Sequence, residues 1–188
     1  VAEAAIDLGA VIVNDISGLS YDPLLASVVA KRGVPVILMH NRGRSREMYR
    51  EASYQNIGKE IVGELRSVID QAVNAGISRN QVVVDPGLGF AKHARHSAAV
   101  LADLPVLSSL DRPILVGPSR KSFLESMLGA RSPQNREWGT AGAVAVAAFL
   151  GAHIVRVHDV LAHHDVVRVV DTLRSVSVER QLDLEREC

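Results

Sequence analysis

Asp85 opens the run DPGLGFAK (Asp85–Lys92) directly after the β-branched Val82–Val84, and its carboxylate can accept two parallel N–H bonds from the edge of a flat ligand. Gly87 and Gly89 allow such a ligand close to the backbone, and Phe90 offers it an apolar wall. The same Asp-Pro-Gly residues could equally form an Asx-turn or helix cap that only shapes the loop. A second cluster, GPSRKSF (Gly117–Phe123), follows Pro113–Val116 and is predicted to set Ser119, Arg120, Lys121 and Ser122 at a helix N-terminus, where free N–H groups and cations would draw an anion. A capped helix with two solvated basic side chains is the alternative. Arg156 and His158 flank Val157, so both side chains project to one side of a strand end. That pair suits a phosphate or pyrophosphate, and arginine also stacks on planar rings. An ion pair of Arg156 with Asp159 or Asp85 is the competing reading. Asn14 closes an earlier strand with an amide that can both donate and accept, as a heterocycle edge requires.

These clusters need elements that bring them together. Short, continuously apolar runs at Ala10–Asn14, Val34–Met39, Gln81–Asp85, Pro113–Gly117 and Ala152–Val157 read as strands buried on both faces. Helical patterns lie between and after them, at Asp22–Lys31, Tyr54–Ala75, His96–Leu104, Ser119–Leu128 continuing in Thr140–Leu150, and Asp159–Ser175. Gly9, Gly33, Gly76 and Gly151 punctuate the helix ends. Five successive βα units imply an α/β fold with a parallel sheet, either open and doubly wound or part of a (β/α)8 barrel. Val1–Leu8 reads as the last turns of a helix that began earlier, which favours an N-terminally incomplete barrel. A barrel of roughly 250 residues would then place roughly 80 further residues upstream. Pro133–Glu137 reads as a mobile surface loop, and His93 and His96 as exposed side chains. Residues 1–175 are taken as the partial barrel domain and 176–188 as a polar tail that frays or extends the last helix.

Composition narrows the function. Lys plus Arg equals Asp plus Glu at 21 each, so no global field recruits nucleic acid or an acidic membrane, and a small-molecule ligand is expected. Aromatic residues make up only 4%, too few for a platform on which nucleic-acid bases stack. The longest apolar stretch, Ala141–Leu150, is too short to span a bilayer, so no membrane association is expected. The single cysteine, Cys188, fits a reducing cytoplasmic setting. No GxSxG elbow, Walker loop, strand-borne GxGxxG or zinc-ligand spacing occurs.

Taken in order, NDISG (Asn14–Gly18), LMHNRG (Leu38–Gly43), DPGLGFAK, GPSRKSF and RVHDV (Arg156–Val160) resemble dihydropteroate synthase, a transferase family of folate biosynthesis, from Val1 to about Ser175. The resemblance implies a (β/α)8 TIM barrel that joins 6-hydroxymethyl-7,8-dihydropterin pyrophosphate to p-aminobenzoate. Pyrophosphate and 7,8-dihydropteroate would be the products, with Mg2+ assisting and sulfonamides competing. By the family's pattern, Asn14 and Asp85 would bond the pterin edge, Lys121 its carbonyl and ring nitrogen, Arg156 its face, and Met39 its floor. Asn14, Arg156 and His158 would hold pyrophosphate, while Phe90, Lys121 and Ser122 would line the aminobenzoate site. Lys121, Arg156 and His158 would thus carry the catalysis. Asn41 and Pro118 depart from the pattern at positions where such proteins vary. The family's Mg2+-linked Asn, its two closing loops and a further pterin-contacting Asp lie in its first three strands and map onto nothing here, so no metal ligand is expected in this chain. The resemblance further implies a homodimer through the outer helices; on physical grounds, a chain without those strands would leave two sheet edges of an open barrel exposed and is expected to be inactive alone. Two rivals remain. A pterin-binding methyltransferase domain of the corrinoid-dependent kind would not need SRKSF, and a non-catalytic barrel fragment would self-associate through its strand edges.

Overall fold

The computed structural model describes residues 1–43, 49–50 and 52–186, the last ten of these by backbone only, so Cys188 lies outside the described residues. Helix α1 (Ala2–Asp7) leads into β1 (Val13–Asp15), α2 (Leu25–Arg32), β2 (Val36–Met39), α3 (Ile57–Asn74), β3 (Val82–Asp85) and α4 (Ala94–Ala102). Then come β4 (Leu115–Val116), the short α5 (Glu125–Leu128), α6 (Glu137–Phe149), β5 (Ile154–Val155) and α7 (Val160–Arg186). Strands β1, β2 and β3 pair in parallel, β4 pairs in parallel with β5, and the Val84–Ile114 bridge joins the two sets. The order is therefore sequential from β1 to β5. A doubly wound sheet reverses its order at a switch point and this one does not, which decides between the two architectures in favour of a barrel segment.

The strands are shorter than their apolar runs because a ladder needs a neighbour. Among the described residues β1 pairs only with β2, and Val11 and Ile12 before it are exposed; β5 pairs only with β4. Along each strand the side chains alternate. Val36, Leu38, Val82, Val84, Ile114 and Val116 pack into one core with Ile61, Leu65 and Ile69 of α3. Asn14, Ile37, Met39, Val83, Asp85, Leu115 and Arg156 have the opposite parity and face away from the helices, into the barrel.

Helix α3 is the best specified element. Asn56 caps it by accepting from Lys59 N at 3.1 Å, Glu60 reaches back to Asn56 N at 2.8 Å, and Ile61, Leu65, Ile69 and Ala72 form its buried stripe. Two expectations fail. The residues of GPSRKSF do not begin a long helix: Ser122–Leu124 is a single 3-10 turn and α5 has four residues. Pro118 and the left-handed Arg120, at φ 59°, break the helical path there. Pro133–Arg136 is likewise no loose loop but a 3-10 turn, because Arg136 is buried, donating to Arg131 O and Arg120 O at 3.0 Å each and pairing with Glu125. Beyond Ser175 the last helix continues to Arg186. Among the described residues no helix is long and apolar enough to cross a membrane.

Candidate active site

Met39 and Asp85 are register partners at the C-terminal ends of β2 and β3, and His40 N donates to Asp85 O at 2.8 Å. Immediately afterwards the chain turns back across β2 so closely that a Cβ on Gly87, at φ 68°, would lie 2.1 Å from His40 O. Only glycine fits there. Asp85 is 4% exposed. Its Oδ1 accepts from Gly87 N at 2.7 Å, so the Asx-turn does form. Its second oxygen takes no hydrogen bond among the described residues, and it is this oxygen that a ligand could use.

Lys121 comes in from the next strand's loop, donates to Leu88 O, and holds its Nζ 5.0 Å from the centre of the Phe90 ring. Arg156 crosses Gly117, where a Cβ would stand 3.5 Å from Arg156 Nε. Neither of the ion pairs weighed for Arg156 forms within the described residues. Burial raises the Asp85 carboxyl, opposed by the Gly87 N–H and then by the charges of Lys121, Arg156 and Lys92. Burial lowers Lys121 to about 8, with Asp85 working against the fall and Arg156 adding to it. A buried carboxylate facing two cations is thus assembled from three strand ends. It can bond a polar ring edge with the carboxylate and an anion with the cations.

The other expected residues are placed unevenly. Asn14 is exposed on the barrel face of β1, in register with Ile37. His158 is held by Ser119, with Nδ1 and Oγ 2.7 Å apart and His158 N donating to the same Oγ at 3.3 Å. Ser122 is exposed at the start of its 3-10 turn. Arg120 turns away to Glu137, 2.8 Å from Oε2, and takes no part. His93 is exposed as expected; His96 is half-buried and packs edge-on against Tyr54 at 5.2 Å.

A second cluster lies behind the Asp85 loop; its His40, Arg42 and Lys92 belong to LMHNRG and DPGLGFAK, but no sequence pattern signals their role or the part of Glu64. Lys92 is 2% exposed and donates to His40 Nδ1 at 2.8 Å and Phe90 O at 2.9 Å. Because Nδ1 accepts, the proton of the neutral imidazole is on Nε2, which donates to Glu64 at 3.0 Å. Arg42 also donates to Glu64, at 3.1 Å from Nε, and lies 4.1 Å over the Tyr54 ring. Burial lowers His40 to about 4; the Glu64 bond opposes this, while the Lys92 and Arg42 charges reinforce it. Burial also lowers Lys92 to about 7, with Asp85 opposing. For Glu64 burial pulls upward, yet the bonds from His40 and Arg42 win and hold it near 2. Its pairing with Glu64 would argue for a charged His40. The Lys92 bond to Nδ1 argues for a neutral one and is the better guide, since an imidazolium has no acceptor.

The pterin-binding enzyme family matches residues 1–158. Dihydropteroate synthase of Synechocystis sp. is 42% identical over 166 residues, covering 86% of this chain and 56% of that protein. The Mycobacterium leprae synthase is 46% identical over 168 residues, covering 86% and 59%. The solved Yersinia pestis dihydropteroate synthase, in complex with a sulfonamide drug, superposes with a TM-score of 0.87 at 36% identity, over 92% of this chain and 62% of that one. The Thermus thermophilus synthase, in complex with 6HMPPP, gives 0.86 at 34% identity, over 92% and 68%. The chain spans less than two thirds of the length of the curated relatives it matches, and its α/β fold is that of a partial (β/α)8 barrel. A family match that takes in all five motif-bearing strand ends, with one fold throughout, means that this chain belongs to the pterin-binding enzymes.

Proposed function

We propose that this chain forms the pterin- and pyrophosphate-binding part of a dihydropteroate synthase, a transferase of folate biosynthesis working in the cytoplasm. Residues 1–175 would be the binding domain and 176–188 a polar extension. The observation that carries the proposal is the convergence, at the strand ends, of the buried Asp85 with the half-buried Lys121, the exposed Arg156 and the Phe90 wall. Asp85 and Asn14 would bond the pterin edge, Lys121 its carbonyl and ring nitrogen, and Met39 would floor the pocket. Arg156 would lie on the ring face and, with His158 and Asn14, hold the pyrophosphate; Phe90, Ser122 and Lys121 would receive p-aminobenzoate, or a sulfonamide in its place.

In the reaction the aminobenzoate nitrogen bonds to the pterin methylene carbon as the carbon–oxygen bond to pyrophosphate breaks, and the amine gives up one proton. The residues' work is electrostatic: cations fixed where the leaving group gains charge, and a carboxylate fixed beside the pterin as its methylene turns cationic. Ser119 supports this by fixing the His158 ring. Mg2+ is part of the proposal and would neutralise the departing pyrophosphate; among the described residues no group of three or more His, Cys, Asp or Glu could hold it. Turnover is proposed for the complete barrel, and binding for this chain. A homodimer through the outer helices is part of the proposal, supported by the apolar residues that α6 leaves exposed: Trp138, at 88%, with Val146 and Phe149.

The test is calorimetric titration of 6-hydroxymethyl-7,8-dihydropterin pyrophosphate, with Mg2+, into the folded chain. Saturable binding that disappears in Asp85→Ala supports the reading; a folded chain that takes up no ligand refutes it.

A further inference from the structure

Lys92 has no part in the proposed reaction, yet it is a fully buried lysine at the mouth of the barrel. Burying an amine is costly unless its donors are met, and a methionine would fill the same space without that cost. What Lys92 holds suggests why a lysine is there. The loop after Asp85 takes left-handed backbone three times in five residues, at Gly87 (φ 68°), Gly89 (φ 79°) and Ala91 (φ 48°). For Ala91 that conformation is strained and needs outside support. The carbonyls on both sides of this kink are tied down: Lys92 donates to Phe90 O at 2.9 Å, and Tyr54 donates to Ala91 O at 2.9 Å. The other Lys92 bond, 2.8 Å to His40 Nδ1, runs to the residue after β2 and fastens the loop to a neighbouring strand end. His40 is in turn oriented by Glu64, and Glu64 by Arg42.

We propose that Lys92 is a positioning residue: by bridging Phe90 O and His40 it fixes the Gly87–Ala91 loop against β2, and so keeps the Phe90 wall in place for the aromatic second substrate. The inference rests on the proposed function and deepens it, since it assigns the bridge to the aminobenzoate half of the site. Arg156 and His158, which would hold pyrophosphate, come from β5 and its following turn, and no bond from Lys92 reaches them among the described residues. Asp85, before the loop, is fixed by the β2–β3 ladder, so loss of the bridge should weaken aminobenzoate binding more than pterin pyrophosphate binding.

The experiment uses the full chain as wild type, Lys92→Met and His40→Asn, each checked for folding by circular dichroism. The Asn amide oxygen can stand where Nδ1 stands, so His40→Asn keeps an acceptor for Lys92. Two titrations are run: 6-hydroxymethyl-7,8-dihydropterin pyrophosphate alone, and p-aminobenzoate into chain saturated with pyrophosphate and 6-hydroxymethyl-7,8-dihydropterin, which has no leaving group. Amide hydrogen exchange at Gly89–Lys92 reads the loop without any ligand. For Lys92→Met, aminobenzoate affinity is expected to fall about tenfold to a hundredfold, as for a lost buried charged hydrogen bond, while pterin pyrophosphate affinity changes less than about threefold. Loop exchange should speed up, and His40→Asn should stay near wild type in both titrations. Should Lys92→Met fail to fold, His40→Leu, which removes the Lys92 acceptor together with the Glu64 bond, is compared with His40→Asn, which keeps that acceptor and loses the Glu64 bond, for the same purpose.

Equal losses for both ligands would mean a general structural role and overturn the inference, as would unchanged aminobenzoate binding or a wild type that binds the pterin ligand and no aminobenzoate. A wild type that binds neither refutes the proposed function, and this inference with it. A wild type that binds both, with the Lys92 variant unaltered, overturns this inference alone.

Discussion

Acidification should unfasten the buried His40, and the size of the effect follows from its bonds. With Nδ1 accepting from Lys92 and Nε2 donating to Glu64, the folded chain has use only for the neutral ring, and burial lowers its pKa from 6.5 to about 4. The unfolded chain takes up a proton near 6.5. Between these two values the unfolded state binds more protons than the folded state, so stability is lost as pH falls from about 6.5 to about 4. The gap is worth about 3 kcal/mol when fully traversed. Glu64 adds a loss of the same sign at lower pH: held near 2, it stabilises the fold above 4.5 and ceases to as pH drops toward 2.

The assay is urea unfolding at several pH values between about 7 and about 4.5, on wild type and on His40→Asn. The variant gives up the Glu64 bond and should be less stable at neutral pH by about 1–2 kcal/mol. Its stability should then fall less steeply than that of wild type, because the titrating ring is gone while the other histidines and the carboxylates are common to both. The two curves should cross within the range, because the wild-type loss of about 2.5 kcal/mol by about pH 4.5 exceeds the variant's deficit. Parallel curves would show that His40 is not held neutral, and would refute the bonding pattern assigned to Lys92, His40 and Glu64.

Three further outcomes are expected. Lys92 titrates near 7 when folded and at 10.5 when unfolded, so stability should rise as pH increases from about 7 to about 10, and Lys92→Met should flatten that rise in the same unfolding experiment. Gly87→Ala would thrust a methyl group to 2.1 Å from His40 O at a left-handed backbone position, and chemical denaturation should show a loss of at least about 3 kcal/mol; a loss below about 1 kcal/mol would mean that the loop can retreat from β2. Arg156→Lys keeps the charge beside Gly117 and loses the planar fork, so inorganic pyrophosphate affinity measured by calorimetry should fall about tenfold with the fold unchanged.

The parts of this molecule that were readable from sequence and the parts that were not divide along a physical line. Asp85, Lys121 and Arg156 stood out because parallel strands must end at one face, so polar residues placed after successive apolar runs are brought together by connectivity alone. Gly33 and Gly76 marked helix ends because each takes a left-handed backbone that other residues resist. Lys92, His40 and Glu64 were hidden because their meaning lies in a three-way contact between strand ends and a helix, which no local pattern encodes. Glu60 and Glu64 stand four apart on α3 like a solvated charged face, and only the approach of Arg42 and His40, from the turn after β2, reveals that both carboxylates are partnered. The failed helix at Ser119–Ser122 has the same origin. Arg120 is a good helix former, but its N–H is taken by Thr140 Oγ1 at 3.0 Å and its side chain by Glu137, both from α6. Tertiary partners there outbid local propensity, and the outcome is to leave Lys121 free to turn toward Asp85 and Phe90 instead of continuing a helix.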